Sequence, residues 1–255
     1  MKKLFSILLV MVLALSSMLV SCNKDGDDAE DINAKSAGVM TYEEYAAAAA
    51  DAEVVIEAYV QAKQVYNENY SNTSLYLQDG KGGYFVYRIA CTAAEYNSIK
   101  IGNKVKISGY KDVWSGEQEI VDATFEIVEG NYVATAEDVT SLLGSSDLVN
   151  KQNILAAFKN LTVAASYKAD DETNTAYAFL YNWDGSGEQG NDLYFNVTDG
   201  TNTYNFCVET DLCGADTDVY KAVEALAIGD KINLEGFLYW YNGANPHITK
   251  VTKVG

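Results

Sequence analysis

The side chains that most often carry chemistry in proteins are few and widely spaced in this chain. His247 is the only histidine, and Cys91, Cys207 and Cys213 are the cysteines beyond the N-terminal region. A zinc site needs closely spaced Cys and His ligands, and covalent catalysis needs a base beside its nucleophile. Because neither pattern is present, the sequence predicts no metal site, no cofactor and no enzymatic activity.

Carboxylates are plentiful, but their spacing indicates no catalytic or calcium-binding motif. Residues 184–188 (Asp-Gly-Ser-Gly-Glu) space oxygen atoms at every second position, yet they lack the central glycine and closing glutamate of an EF-hand loop. A flexible loop is the main interpretation and a weak calcium site the alternative. Glu117 and Glu119 align with Ala244 and Pro246 in the internal repeat discussed below, so no acid pair is shared and no glycosidase-like role is expected.

The charge balance bears on the possible partners. Asp and Glu total 36 against 18 Lys and Arg, the formal net charge is −18, and Arg88 is the only arginine. Proteins that bind nucleic acids neutralise phosphates with Lys and Arg, and an acidic surface repels a polyanion. The composition therefore predicts that no duplex nucleic acid is bound.

The N-terminal residues form a signal for export. Lys2 and Lys3 precede an apolar run over residues 4–19, which is short for a membrane-spanning helix of about 20 residues and suits a signal peptide. The run ends in Leu19-Val20-Ser21-Cys22, which resembles the lipobox of bacterial lipoproteins. That resemblance implies a signal peptide over residues 1–21 and a diacylglycerol on Cys22, which anchors the chain to a membrane.

An acidic, polar stretch follows the anchor cysteine. Residues 22–40 are predicted to be a solvated, flexible tether, because so few of them can bury apolar surface. The acidic run over residues 23–31 resembles the surface-export signal of Bacteroidota-type lipoproteins. We therefore expect an outer-membrane lipoprotein at the cell surface, with the periplasmic face of that membrane as the alternative. In an oxidising compartment Cys207 and Cys213 could form a disulfide; three buried free thiols are the alternative.

The chain contains an internal repeat, which predicts its fold. Residues 101–110 (IGNKVKISGY) align with residues 228–237 (IGDKINLEGF), and Asp79-Gly80 followed by Tyr84 aligns with Asp199-Gly200 followed by Tyr204. Period-two alternation predicts five strands in each unit, with a helix between the third and fourth. The predicted strands span residues 54–65, 74–79, 84–89, 104–110 and 119–128, then 161–169, 193–198, 203–209, 231–239 and 247–254.

Five strands with a helix before the fourth are the element order of the OB-fold, a small Greek-key barrel. Residues 76–80 (YLQDG), 84–87 (YFVY) and 101–109 (IGNKVKISG) resemble the corresponding strands of OB-fold lipoproteins. The sequence therefore predicts an all-β chain of two tandem OB-fold-like barrels with short helices. The predicted domains are residues 41–130, with an N-terminal helix, a helical linker over 131–159, and residues 160–255.

Aromatic residues in the predicted loops are the candidates for ligand binding. An OB-fold binds ligands on strands two and three, flanked by the loops between strands one and two and between strands four and five. Six aromatic residues map to these loops: Tyr66, Tyr70, Trp114, Trp183, Trp240 and Tyr241. Such rings with neighbouring Asn, Gln and Asp suit an oligosaccharide. The alternatives are a docked protein partner, a nucleic acid bound through the OB-fold, or rings that only cap the barrel cores.

Overall fold

The computed structural model describes residues 31–254. The predicted signal peptide, Cys22 and the first part of the predicted tether lie outside the described residues. Between residues 31 and 254, no helix combines the length and the apolar character needed to span a bilayer.

The first five-stranded barrel follows a short helix. The elements are α1 (Tyr42–Ala47), β1 (Glu53–Lys63), β2 (Asn72–Gln78), β3 (Gly83–Ala90), α2 (Ala93–Ser98), β4 (Asn103–Trp114) and β5 (Glu117–Asn131). The strands close in the order β1-β2-β3-β5-β4, and β3 pairs with β5 in parallel. Helix α1 begins with a capping box, in which the Thr41 hydroxyl accepts the Glu44 N–H and the Glu44 carboxylate accepts the Thr41 N–H.

The second barrel repeats this topology. Its elements are β6 (Glu137–Asp138), β7 (Leu155–Ala164), β8 (Leu180–Tyr181), β9 (Leu193–Thr198), β10 (Thr203–Val208), α3 (Asp218–Glu224), β11 (Lys231–Phe237) and β12 (His247–Lys253). The order is β6-β7-β11-β12-β10-β9-β8, and pairing of β7 with β9 closes the barrel. The predicted fold class, two tandem OB-fold barrels, is confirmed.

A hydrogen bond reproduced in both barrels supports the repeat. The Tyr84 hydroxyl donates to Asp79 Oδ2 over 2.9 Å, and the aligned Tyr204 hydroxyl donates to Asp199 Oδ2 over the same distance. In each barrel the aspartate also accepts backbone N–H groups of the turn between the second and third strands. The duplicated Asp-Gly and Tyr positions therefore have one structural role, which is to fix this turn.

The predicted helical linker over residues 131–159 is different in the structure. It contains strand β6 and two 3-10 turns, Thr140–Leu142 and Ser146–Lys151, and β7 begins at Leu155 rather than at residue 161. The Asp138 carboxylate accepts hydrogen bonds from the Thr140 N–H and hydroxyl, which closes a short turn where the sequence suggested a helix start.

The early start of β7 was hidden by a bulge. Ala156 and Phe158 are buried, and then Leu161 and Val163 are buried, so the inward-facing positions change from even to odd numbers. Asn160 adopts a left-handed φ of 56° at the change. A β-bulge inserts one residue and interrupts the period-two pattern on which a sequence-based assignment relies.

The second half of the predicted tether packs against the first barrel. The Met40 N–H donates to the Val55 carbonyl over 2.8 Å, and Lys35 Nζ lies 2.6 Å from Asp79 Oδ2, whose side chain is fully buried. A buried ion pair and a backbone hydrogen bond hold this segment in place. A flexible tether therefore does not extend to residue 40.

The barrels meet through an aromatic cluster. The Tyr76 ring stacks on the Phe237 ring with centroids 4.3 Å apart, and Phe85 packs beside them. Tyr76 and Phe85 lie opposite each other on β2 and β3, on the outer face of the first barrel. The second barrel therefore covers the face on which an OB-fold most often binds its ligands.

Cys91, Cys207 and Cys213 are free and buried, so the disulfide considered between Cys207 and Cys213 is not formed. Cys213 belongs to the core cluster of the second barrel, whereas Cys207 lies on the outer face of β10, where it is hydrogen-bonded to Tyr194. The two thiols face different environments, which explains why proximity in the sequence does not pair them.

Candidate functional site

A groove of about 870 Å³ lies over strands β9, β10 and β12 of the second barrel. Successive residues of a strand point to opposite faces of a sheet. Phe195, Phe206 and Ile248 therefore point into the barrel core, and their neighbours Tyr194, Cys207 and His247 form the floor of the groove. This is the strand face on which the fold predicts ligand binding.

Three segments form the walls of the groove. The first barrel contributes Gln64, Phe85, Tyr87 and Arg88. The loop between β11 and β12, which we call the ligand loop (residues 238–246), contributes Tyr239, Tyr241, Asn242 and Asn245 among others. The long connection between β7 and β9 contributes Trp183 and Asp192. Residues of both barrels therefore line one site.

Of the six predicted aromatic residues, the structure brings two together in this groove. Trp183 is 74% exposed and Tyr241 is 55% exposed, and both line the groove from different loops. Trp240 is half-buried, packs against the core of the second barrel and does not line the groove. Neighbouring residues of the ligand loop thus have different roles: Trp240 holds the loop to the barrel and Tyr241 faces the groove.

The other three predicted residues lie away from the groove. The Tyr66 hydroxyl donates to the Cys91 carbonyl over 3.3 Å, and the exposed Tyr70 and Trp114 side chains are at the loops of the first barrel. None of the three lines the groove, which the described part of the first barrel reaches only through Gln64, Phe85, Tyr87 and Arg88.

A polar network at the floor of the groove joins the two barrels. Nδ1 of His247 lies 2.9 Å from the Tyr76 hydroxyl and 3.2 Å from Glu209 Oε2, and Nε2 of Gln64 donates to both Glu209 oxygens over 2.7 and 2.8 Å. The Tyr239 ring stacks on the His247 ring at 4.3 Å. Burial alone would raise the pKa of Glu209, but the attraction of His247 and these hydrogen bonds outweigh it and lower the pKa. Glu209 is therefore a carboxylate that fixes the imidazole.

Arg88, the only arginine of the chain, lines the groove on strained backbone. Its φ is 48°, its N–H donates to Ser74 Oγ over 3.2 Å, and its guanidinium lies 4.8 Å from the centre of the Tyr87 ring. Within residues 31–254 it makes no ion pair shorter than 4.0 Å. The register of β2 and β3 shifts at this point, so the left-handed φ belongs to a β-bulge, as it does at Asn160. The guanidinium donors, which form no such ion pair, are available to a bound molecule.

The groove carries more acidic than basic side chains. Burial, together with the neighbouring charges of Glu209 and Asp192, raises the pKa of Asp211, and Arg88 offsets part of this effect. These carboxylates and the amides of Asn205, Asn242 and Asn245 provide hydrogen-bond acceptors and donors around the exposed rings.

Glu117 and Glu119, to which the sequence assigned no function, are buried. Glu117 Oε2 accepts the Trp240 N–H over 2.8 Å, and Oε1 accepts Asn153 Nδ2 over 2.6 Å. Burial raises the pKa of Glu117 to about 8 and that of Glu119 to about 7. Glu117 thus contacts the ligand loop without lining the groove.

Sequence reasoning missed most of the groove. Five of its residues lie on strands, whereas the residues predicted from the sequence lie in loops: Phe85, Tyr87, Arg88, Tyr194 and His247. The outward-facing register of β3 and β9 was an available signal. In the part of the chain that the structure describes, no group of three or more His, Cys, Asp or Glu side chains could hold a metal ion.

Comparisons with known proteins show similarity at the level of structure only. No family model matches the sequence. No curated protein matches it. Among solved structures, the Ifi202 HINa domain in complex with 20-bp dsDNA is 13% identical, with 79% of this chain and 98% of that chain covered and a TM-score of 0.33. A murine DNA-binding protein bound to dsDNA is 14% identical, and the match covers 80% of this chain and 100% of that chain with a TM-score of 0.34. A replication protein A heterotrimer bound to ssDNA is 11% identical, with 80% and 49% covered and a TM-score of 0.29.

These structures correct one expectation from the sequence. Net charge and the single arginine predicted that no duplex nucleic acid would be bound, whereas similar structures include domains bound to dsDNA. The expectation therefore does not stand as a rule drawn from composition, because net charge is a property of the whole chain and does not decide which ligands an OB-fold barrel can hold.

Proposed function

We propose that this chain is a non-enzymatic binding protein of the bacterial cell envelope, anchored by a lipid on Cys22, that holds an oligosaccharide in the groove of its second barrel. The observation that carries the proposal is the pair of exposed rings, Trp183 and Tyr241, which project from two separate loops into one groove. The anchor rests on residues 19–22 of the sequence, and we propose the outer membrane, facing the cell exterior, as its location.

An oligosaccharide suits the chemistry of this groove. Exposed aromatic rings offer apolar faces that can stack on the C–H faces of sugars, and the surrounding Asn205, Asn242 and Asp211 can hydrogen-bond hydroxyl groups. Arg88 adds several donors on one planar group. A groove of about 870 Å³ is in the range of small-molecule sites and accommodates a few sugar units.

A nucleic acid is the second candidate ligand. Aromatic rings stack on bases as well as on sugars, and Arg88, close to Tyr87, could pair with a phosphate. The similar structures include complexes with dsDNA and with ssDNA. Both forms therefore belong in any binding screen.

The test is a glycan array probed with the purified protein, with ssDNA and dsDNA titrated at several salt concentrations in parallel. Trp183→Ala and Tyr241→Ala should each weaken glycan binding by about tenfold to a hundredfold, since a stacked ring contributes about 1–3 kcal/mol. Tyr70→Ala is the matched control, because Tyr70 is 71% exposed and lies outside the groove.

The outcomes separate the candidates. Glycan binding that Tyr70→Ala weakens as much as Trp183→Ala would place the site elsewhere. DNA binding that depends on Trp183 and falls steeply as salt rises, with no glycan bound, would replace the oligosaccharide by a nucleic acid, because that salt dependence reports phosphate contacts.

A further inference from the structure

The turn between β4 and β5 of the first barrel holds the ligand loop of the second. The Asn242 N–H donates to the Ser115 carbonyl over 2.7 Å, and the Trp240 N–H donates to Glu117 Oε2 over 2.8 Å. A methyl group added at Gly116 would lie 2.9 Å from Trp240 Cδ1. Backbone and ring contacts from three consecutive residues of the first barrel thus converge on the loop that carries Tyr241.

Glu117 is itself held from a second side. Its Oε1 accepts Asn153 Nδ2, and the Asn153 N–H donates to the Leu238 carbonyl over 3.0 Å, at the start of the ligand loop. Gln152 Nε2 donates to the Gly116 carbonyl over 2.8 Å. Residues 152 and 153 therefore brace both the turn and the ligand loop, and the Glu117 carboxylate lies between them.

A buried carboxylate is an unexpected side chain at such an interface. Taking it out of water costs free energy, and an apolar side chain of similar volume would pack there at lower cost. Glu117 is 0% exposed. An apolar side chain, however, could not accept the Trp240 N–H. What the carboxylate adds to the packing is therefore an acceptor that fixes one backbone group of the loop.

We propose that Glu117 is a positioning residue of the groove, which fixes the ligand loop of the second barrel from the first barrel without touching the ligand. Trp240 lies directly between Tyr239 and Tyr241, which both line the groove. A shift of the Trp240 backbone therefore moves both rings. This inference rests on the proposed function, and it makes the site a property of the two barrels together.

The experiment compares two substitutions of similar volume in the whole protein. Glu117→Gln keeps an acceptor for the Trp240 N–H, whereas Glu117→Met removes it. Amide hydrogen exchange measured by NMR should be about tenfold faster at Trp240 and Asn242 in Glu117→Met, because the acceptor of the buried Trp240 N–H is lost. In Glu117→Gln it should stay within about threefold of wild type. Core amides of β1 and β9 serve as the internal control, since a general loss of stability would accelerate them as well.

A second variant acts on the loop and leaves Glu117 in place. Gly116→Ala puts a methyl group against the Trp240 ring, and because Gly116 has a φ of 92° it also strains the turn that contacts the loop. Both effects should accelerate exchange at Trp240. Equal exchange at Trp240 in wild type, Glu117→Met and Gly116→Ala would overturn the proposal. Where the glycan array gives a wild-type signal, Glu117→Met should lower it about tenfold and Glu117→Gln should restore it. If no glycan binds the wild type, the oligosaccharide proposal fails and the exchange data alone decide the role of Glu117.

Discussion

Replacing Glu117 by Gln should change how the stability of the protein depends on pH. Burial raises the pKa of Glu117 from its ordinary 4.5 to about 8. The folded protein thus holds this proton more tightly than the unfolded chain does. Glu117 therefore adds stability that is complete below pH 4.5 and is lost progressively as the pH rises to about 8. Glutamine carries no titrating proton, so the variant escapes this loss of stability at high pH.

The size of the effect follows from the two pKa values. One proton bound by the folded state and absent from the unfolded state changes the free energy of unfolding by about 1.4 kcal/mol per pH unit. Between the two pKa values of Glu117, the free energy of unfolding therefore falls by at most about 5 kcal/mol. Glu119, whose pKa burial raises to about 7, contributes with the same sign. Between pH 5 and 7, the free energy of unfolding should therefore decrease with pH about half as steeply in Glu117→Gln as in wild type, because Glu119 still titrates.

The variant also has a way to satisfy its new donor. Asn153 Oδ1 is buried without a hydrogen-bond partner among the described residues. Rotating the Asn153 amide presents this oxygen to the glutamine NH₂, as it would to a protonated Glu117. The rotation gives up the hydrogen bond that Asn153 Nδ2 donates to the Gln118 carbonyl over 3.1 Å. We therefore expect Glu117→Gln to fold and to be more stable than wild type above pH 7.

The assay is urea unfolding followed by tryptophan fluorescence at half-unit steps from pH 5 to 8. The informative quantity is the difference in unfolding free energy between variant and wild type, because titrations common to both proteins cancel in it. This difference should move in favour of the variant by about 1.4 kcal/mol per pH unit. A difference that stays constant across the range, or that moves in favour of wild type, would refute the argument from burial.

Three further predictions test other parts of the structure. Cys22→Ser should move the protein from the membrane to the soluble fraction; a variant that resists a carbonate wash would contradict the lipid anchor. Thr41→Ala removes the capping box of α1 and should lower the free energy of unfolding, measured with urea, by about 1 kcal/mol. An unchanged free energy of unfolding would contradict the role of the cap. Asp79→Ala leaves Lys35 without its buried partner and should cost about 3–5 kcal/mol, whereas Asp199→Ala, at the aligned exposed position, should cost much less; equal losses would contradict the role of burial.

The sequence was sufficient for the barrels because their signals are local. The Thr41 capping box starts α1, and glycine turns separate the strands. The strands predicted over residues 193–198 and 203–209 match β9 and β10 to within one residue. These patterns depend on neighbouring residues only. A duplicated strand order then makes each unit evidence for the other.

Features that depend on contacts distant in sequence were not predictable in the same way. The bulge at Asn160 moves β7 out of the expected alternation, and the ion pair of Lys35 with Asp79 orders a segment whose composition is typical of a tether. The environment of Cys207 depends on Tyr194, a residue of the neighbouring strand. In each case the deciding partner lies on an element whose position the sequence alone does not give.

Aligned positions explain why only one barrel has an open face. On β2 and β3 of the first barrel, the outward pair is Tyr76 and Phe85, and the alignment through Asp79 and Asp199 places Asn196 and Asn205 at the same positions of β9 and β10. The aromatic pair is buried against the second barrel, whereas Asn205 Nδ2 donates to Asn196 Oδ1 over 2.9 Å beside the groove.

This single difference assigns the two faces different roles. An apolar pair gains free energy when another surface covers it, and a polar pair would lose its hydrogen bonds to water if it were covered in the same way. The first barrel therefore offers its strand face to the second, and the second keeps its own face open to solvent. Replacing Asn205 by Phe should then expose an apolar side chain on the strand face of the second barrel and make the protein self-associate. Sedimentation velocity would detect the product as a dimer. Asn205→Asp is the control that keeps the face polar and should sediment as the wild type does. A monomeric Asn205→Phe variant would show that the division between a docking face and a binding face depends on more than this aligned pair.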